Sequence, residues 1–331
     1  MNPEWNAHLE NHHAASAADA DCAFSALEDM ALIRITGEDA RDFLQGQLTN
    51  DIRRVTPDRA QLSAWCTAKG RMLALFLVFE HGGELRLLLP RERRDVVLKR
   101  LGMFVLRARV TLAADDDLVT AGLTGDCMDD LVPDAPQTPF ACDLRDGVTR
   151  IRLPGPRPRL LLAGPAPAMI ALHDAMAHRI TRVDPDFWHL EEIRAGLPQV
   201  YDATAEAFVP QMCNLDRLDG VSFTKGCYTG QEVVARMRYL GQLKRRMYLA
   251  RMAPGTPCPP PGTPLHSTSS RSAQGAGRVV DARPTPEGGC EALVVAEIAA
   301  AEAGDLRIGN EKGPAVALAL PPYGLADGEE A

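Results

Sequence analysis

Along the first third of the chain, apolar positions switch between a period of two and a period near 3.6. Met30–Thr36 alternates as a strand, and Thr36, Glu38 and Asp39 then open a helix that turns Ala40, Phe43, Leu44 and Leu48 inward. Gln61–Cys66, Met72–Phe79 and Leu85–Leu89 read as three further strands, with hairpin turns at Lys69-Gly70 and Gly82-Gly83. A basic amphipathic helix over 91–104 and a strand near 106–112 complete a β-α-β-β-β-α-β order. That order predicts a sheet with its helices on one face. The longest apolar run, Met72 to Phe79, is too short to span a membrane and suits a buried strand.

A second α+β unit is expected over 117–240, with strands near 118–123, 148–153 and 159–163 and a helix over Ala166–His178. A further helix has Asp184 as N-cap and Pro185 at N1, with Phe187, Leu190 and Ile193 facing inward. The acidic stretch from Asp129 to Pro139 reads as a loop. After Leu240 the pattern becomes strand-like at Leu243–Met252, Gly277–Ala282, Glu291–Ile298 and Ala315–Leu320, which predicts a small β-barrel over 241–331. The six prolines from Pro254 to Pro264 make a stiff loop within it. The organisation expected is thus a flexible tail (1–22), two α+β units (23–116 and 117–240) and a barrel.

The 331 residues suggest two or three domains, and 46% apolar with 24% charged residues is ordinary for a globular protein. The first 21 residues lack a basic start and an apolar core, so they do not read as a secretory signal; His12-His13 reads as tail rather than metal site. Eight cysteines are scattered without a C-x-x-C, which favours free thiols in a cytoplasmic protein and disfavours a resident zinc or cluster. The net charge of −8 is unevenly spread. From Asp51 to Arg109 there are 13 basic and 6 acidic residues, and from Val233 to Val280 there are 8 basic residues and no acid. Such a chain is a poor generic nucleic-acid binder but can gather a small polyanion. Most of Arg91, Arg93, Arg94, Lys99 and Arg100 read as solvated helix faces.

The richest segment chemically is Lys225-Gly-Cys-Tyr-Thr-Gly-Gln-Glu232. Thr229 and Glu232 have the spacing of a capping box, and the helix they open carries Val233, Val234, Met237 and Leu240 on one side. Cys227 then lies two residues before a helix N-terminus and two after Lys225, both of which favour thiolate. Against this stands the commoner fate of a free cysteine, burial in a tight turn.

Phe223–Arg236, which contains this segment, resembles the signature of the YgfZ-type folate-binding proteins, relatives of the glycine-cleavage T-protein (aminomethyltransferase) that support iron–sulfur enzymes. Phe43–Asp51, Lys69–Leu73, Arg194–Pro198, Phe208–Gln211 and Asn214–Asp216 extend the likeness in the same order, from about Phe24 to the last barrel-like segment. The resemblance implies an α+β architecture: two ferredoxin-like domains and a C-terminal small β-barrel around a central folate pocket. It also implies tetrahydrofolate or a derivative as ligand and iron–sulfur enzymes as clients. One client type is a tRNA-modifying radical enzyme, so that any effect on tRNA is indirect. No direct nucleic-acid contact, membrane or permanently bound metal is expected.

In this reading Cys227, with Lys225, is the chemical handle, and Asn50, Lys69, Arg71, Arg194, Tyr228, Gln231 and Arg236 are candidate folate contacts. Blander roles stand beside these. Asn50 suits a helix-end turn and Lys69-Gly-Arg71 a solvated hairpin tip. Tyr228 can fill an interdomain seam, Arg236 can pair with Glu232 for roughly 0.2–0.5 kcal/mol, and Arg194 can pair with Glu191 or Glu192. Two departures from the family pattern matter. Aminomethyltransferases carry paired aspartates in the strand after the hairpin turn, whereas Met72–Phe76 has no acid, which argues against the parental reaction. Arg194 stands where a glutamate often precedes Ala-Gly, and a guanidinium offers only donors to a pterin. The rival readings are a folate-dependent aminomethyltransferase or demethylase, and a non-catalytic folate-binding scaffold.

Overall fold

The computed structural model describes residues 2–11, 14, 21–239, 243–273 and 275–325. Helix α1 (Pro3–Glu10) precedes strands β1 (Cys22–Ala26) and β2 (Met30–Thr36), helix α2 (Ala40–Gln47), the hairpin β3 (Gln61–Cys66) and β4 (Met72–His81), β5 (Glu84–Pro90), α3 (Arg91–Gly102) and β6 (Thr111–Asp115). Then come β7 (Leu118–Gly125), α4 (Met128–Leu131), β8 (Cys142–Arg145), β9 (Val148–Leu153), β10 (Arg159–Pro165), α5 (Ala166–Met176), β11 (Thr181–Val183), α6 (Pro185–Arg194) and α7 (Gln231–Tyr239). The chain finishes with β12 (Arg245–Met252), β13 (Pro264–His266), β14 (Gly277–Pro284), β15 (Cys290–Glu297), α8 (Ile298–Ala303), β16 (Arg307–Ile308) and β17 (Ala317–Ala319).

The expected β-α-β-β-β-α-β order of the first unit forms one sheet, β3-β4-β5-β2-β6. Its strands read as nearly continuous apolar runs because both faces are covered. On one face Ile33, Ile35, Phe76 and Val78 pack under α2 and α3, through Phe43, Leu44, Val97 and Leu101. On the other, Leu32, Leu75, Leu77 and Phe79 meet Ile151, Leu153 and Leu161 of a second sheet, and Met247, Leu293 and Val295 of the third. The second sheet, β11-β1-β7-β10-β9-β8, carries α1, α4 and α5 on its far side. The third, β16-β13-β14-β15-β12-β17, is the antiparallel C-terminal sheet expected as a barrel, with a register shift between Val279 and Asp281.

Several expectations need correction. The segment expected as tail holds α1, which buries Trp5 and Leu9 against the second sheet. Strand β1 also joins that second sheet, antiparallel to β7 and parallel to β11, rather than opening the first unit. A five-residue strand carries too little periodicity to name its partner. The strand expected near 106–112 forms at Thr111–Asp115, after a turn in which Leu106 takes a positive φ. Arg93 is not a solvated helix residue: it is buried, donating to Asp202 Oδ1 (2.5 Å) and the Leu73 carbonyl (2.8 Å).

The cysteines are not all free. Cys22 is bonded to Cys127 and Cys258 to Cys290, with Cα separations of 5.8 and 5.5 Å. The β1–β7 register places Cys22 opposite Gly125, so the chain beyond β7 returns Cys127 beside it. Likewise the proline-rich loop lays Cys258 against the first residue of β15. Both spacings lie in the usual range for a disulfide. Among the described residues no helix is long and apolar enough to cross a membrane.

Candidate functional site

Two glycines bring the separated motifs together. Gly230 has φ +86°, a conformation that glycine adopts without strain, and a Cβ there would lie 2.4 Å from the Thr67 carbonyl oxygen. Opposite it, Gly70 (φ +69°) leaves only 3.0 Å between its own absent Cβ and Val233 Cβ. The β3–β4 hairpin tip therefore lies backbone against backbone on the first turn of α7. The tip itself is closed by Thr67 N–H donating to the Arg71 carbonyl and Gly70 N–H to the Thr67 carbonyl, each at 2.8 Å. Lys69-Gly-Arg71 thus lies against the start of α7.

The same contact shifts the helix start. α7 begins at Gln231, and the Gly230 carbonyl accepts the Val234 N–H (3.3 Å), so Gly230 and not Thr229 is the cap residue. The expected Thr229–Glu232 capping box does not form, because the position against the hairpin tip tolerates no side chain. Cys227 accordingly lies four residues ahead of the helix, where the field of a helix end has largely faded. Its sulfur is exposed, and no hydrogen bond or ion pair engages it among the described residues. Gly226 faces open space and is not needed for a close approach. The other free thiols are buried: burial pushes Cys66 and Cys142 up to about 12, and Cys213 higher still.

Lys225 is turned into the core rather than toward the thiol. Its Nζ donates to the carbonyls of Leu48 (2.6 Å) and Asn50 (2.8 Å) just beyond α2, and sits 5.2 Å from the Tyr228 ring centre. Burial pushes the ammonium down to about 8, against the opposing pull of Asp51. Because its ordinary value is 10.5, the stability Lys225 contributes is complete above that pH and is lost as pH falls through 8. The Lys225 Nζ signal in nitrogen NMR is expected to titrate near pH 8, and Asp51→Asn is expected to lower the midpoint further. A midpoint at the ordinary lysine value would contradict the buried placement.

The remaining candidates divide. Asn50 is wholly buried: its Nδ2 donates to the carbonyls of Leu62 (3.0 Å) and Asp219 (2.6 Å), and its Oδ1 accepts the Asp51 N–H. Arg71 donates to the Ala207 carbonyl at 2.6 Å. Tyr228 is buried, and burial raises its phenol above the ordinary value. Arg194 forms the expected pair with Glu191 (2.9 Å) and a second with Glu291 of β15 (2.9 Å), which pins α6 to the third sheet. Lys69 and Arg236 are exposed and Gln231 half-buried beside the thiol-bearing loop, and the Glu232–Arg236 pair is not formed.

Sequence reasoning missed how deeply α6 is buried. Besides the expected inward residues, Trp188, His189, Glu191 and Glu192 are all inaccessible. His189 Nε2 contacts Asp29 Oδ2 at 2.6 Å and Nδ1 contacts Glu192 Oε2 at 2.9 Å. Burial opposes charge on this imidazole, but the two carboxylates outweigh it and raise the pKa to about 10. Next to it, Tyr201 donates to Asp281 Oδ2 (2.7 Å) and accepts from Arg283 (3.1 Å). Arg159 is also buried, its guanidinium 5.0 Å above Trp188; its Nε and Nη1, and Oε2 of Glu191, have no hydrogen-bond partner among the described residues. Three polar residues within four positions, His189, Glu191 and Glu192, interrupting an apolar stripe were the available signal. The central cavity lined by Trp188 and Glu192 holds only about 20 Å³, room for about one water.

A much larger cleft, about 1350 Å³, opens between α7, the turn Pro210–Cys213 and the third sheet. Phe223, Met237 and Tyr248 line it with five cations (Arg217, Arg238, Lys244, Arg246, Arg271) and three carboxylates (Asp216, Glu297, Glu302). Arg246 is held by Asp216 through two bonds of 2.7 and 3.0 Å, and Arg238 stacks on Phe223 at 4.2 Å.

Two packed α+β layers followed by an antiparallel sheet place the chain in the aminomethyltransferase T class of folds. The glycine cleavage system aminomethyltransferase T of Bartonella henselae superposes with a TM-score of 0.70 over 97% of this chain and 89% of that one, at 14% identity. By sequence the chain belongs to the YgfZ family. It is 35% identical to the tRNA-modifying protein YgfZ of Klebsiella pneumoniae over 241 residues, 71% of this chain and 73% of the relative. The same protein of Sodalis glossinidius is 35% identical over 230 residues, 67% and 69% of the two chains. No protein-family model matches the chain.

Proposed function

We propose that this protein binds a tetrahydrofolate species and supports assembly or repair of iron–sulfur clusters in client enzymes, with Cys227 as its reactive thiol. The observation that carries this reading is the exposure of Cys227, alone among the four free cysteines, just ahead of helix α7, whose Met237 and Arg238 line a large cleft. A cleft of this size exceeds the usual range for a small-molecule site. Its donor set suits a folate: Phe223 and Tyr248 offer faces for a planar ring, and Arg217, Arg238 and Arg271 offer charge for glutamate carboxylates. In a division into two ferredoxin-like domains, parted near 116, and a small barrel beginning near 241, this cleft would lie between the second domain and the barrel. The protein would work in the cytoplasm. The relatives' name, tRNA-modifying protein, fits an indirect role through a client enzyme. The apolar Met72–Phe76 stretch argues against aminomethyl transfer by the parental route.

Two measurements test the halves separately. Calorimetry with tetrahydrofolate is expected to show binding weakened by Arg238→Ala; absence of heat removes the ligand, and an unchanged affinity removes this cleft. In a deletion strain, Cys227→Ser is expected to leave iron–sulfur enzyme activity unrestored while the folded protein accumulates normally. Full restoration would leave a non-catalytic scaffold as the better description.

A further inference from the structure

Helix α1 lies on α5 of the second layer, and three ligand-type atoms converge where they meet. His8 Nε2 is 3.0 Å from His173 Nδ1 and 3.7 Å from Asp174 Oδ1. His173 Nδ1 is likewise 3.7 Å from that oxygen. Both rings are held in place by packing. His8 stacks against Trp5 with centroids 5.8 Å apart, and the buried His173 meets Phe24 edge-on at 5.0 Å. Asp174 is more than half exposed, so one side of the triangle opens to solvent.

Tetrahedral zinc, with bonds of about 2.0–2.1 Å, sets its ligand atoms about 3.3 Å apart. The observed edges lie on either side of that value. A hydrogen bond between the imidazoles fits the short edge and ion-pairing fits the other two; a cation at the centre would engage all three atoms at once. Two imidazoles and one carboxylate suit zinc or cobalt(II) better than magnesium or calcium, which prefer all-oxygen shells. We propose that His8, His173 and Asp174 bind one zinc-class divalent cation that clamps α1 onto α5, with water in the remaining position. The site stands apart from Cys227 and from the cleft, so it does not depend on the folate reading. Nothing in the spacing announced it, since 165 residues separate the two histidines.

The test is a Co²⁺ titration of chelator-stripped protein, followed by visible absorbance and by thermal melting, with circular dichroism to verify folding. His8→Gln, Asp174→Asn and a His12→Ala/His13→Ala double variant are measured alongside. One equivalent is expected to bind, with the intense bands of four-coordinate cobalt and a raised Tm. His8→Gln and Asp174→Asn should each weaken binding at least about tenfold, and the double variant should bind as the parent does. Asp174 is exposed, so its substitution tests the site without threatening the fold. The proposal is overturned by absence of saturable binding, by one-equivalent binding that survives both ligand changes, or by binding lost only in the double variant.

Discussion

Replacing His189 with leucine is expected to destabilise the protein by about 3–5 kcal/mol, the range for removing one partner from a buried ionic group. The imidazolium lies between Asp29 and Glu192, and a leucine would leave Glu192 without its cation in the interior. The effect has a pH signature. His189 has a folded pKa of about 10 against an ordinary 6.5, so its contribution is fully present below pH 6.5 and is lost as pH rises through 10. Asp29 works the other way: its pKa is lowered, burial opposing and His189 outweighing it, so its share is present above 3.8 and lost on further acidification. The gap between parent and variant in urea melts should therefore be widest between about pH 4 and 6.5 and narrow toward pH 10. A gap that does not change with pH would mean that His189 acts by packing alone.

Gly230→Val should produce the other large loss. The substitution forces a β-branched residue into φ +86° and drives its Cβ to within 2.4 Å of the Thr67 carbonyl oxygen, which belongs to backbone and cannot swing aside. A left-handed side chain costs roughly 1–2 kcal/mol and overpacking about 1–3 kcal/mol more. Hydrogen exchange would locate the damage, with protection lost first at the hairpin tip and the start of α7. Gly226→Ala is the control, because nothing lies within 4 Å of a Cβ there. Equal stability of the two variants would mean that the hairpin and α7 are not in contact.

Much of the first layer was legible in the sequence, since β2, β3, β4 and β5 are apolar runs bounded by turn residues, whereas the five-residue β6 forms a few residues beyond its expected place. The candidate site was legible only as chemistry. Asn50, Arg71 and Arg194, expected as ligand contacts, are each engaged by the protein itself: Asn50 bridges Leu62 and Asp219, Arg71 reaches Ala207, and Arg194 joins α6 to Glu291. A motif residue that holds two distant segments together and one that holds a ligand leave the same trace in a single sequence. Lys225 illustrates the difficulty, because its spacing from Cys227 suggests partnership while its ammonium is occupied by two carbonyls of another element.

The amino-acid order by itself determined the elements: apolar runs of strand length bounded by turn residues, and stripes of helical period opened by capping residues. It also determined that one loop would carry cysteine, lysine and tyrosine within four residues. Only the tertiary structure decided that β1 serves the second sheet, that α6 is buried on every side with a charged histidine in its midst, and that Cys227 alone of the free thiols meets solvent. The reason is that periodicity reports how many faces of an element are covered and not by what. Partners far along the chain are selected by volume, charge and backbone approach, which exist only once the layers have packed.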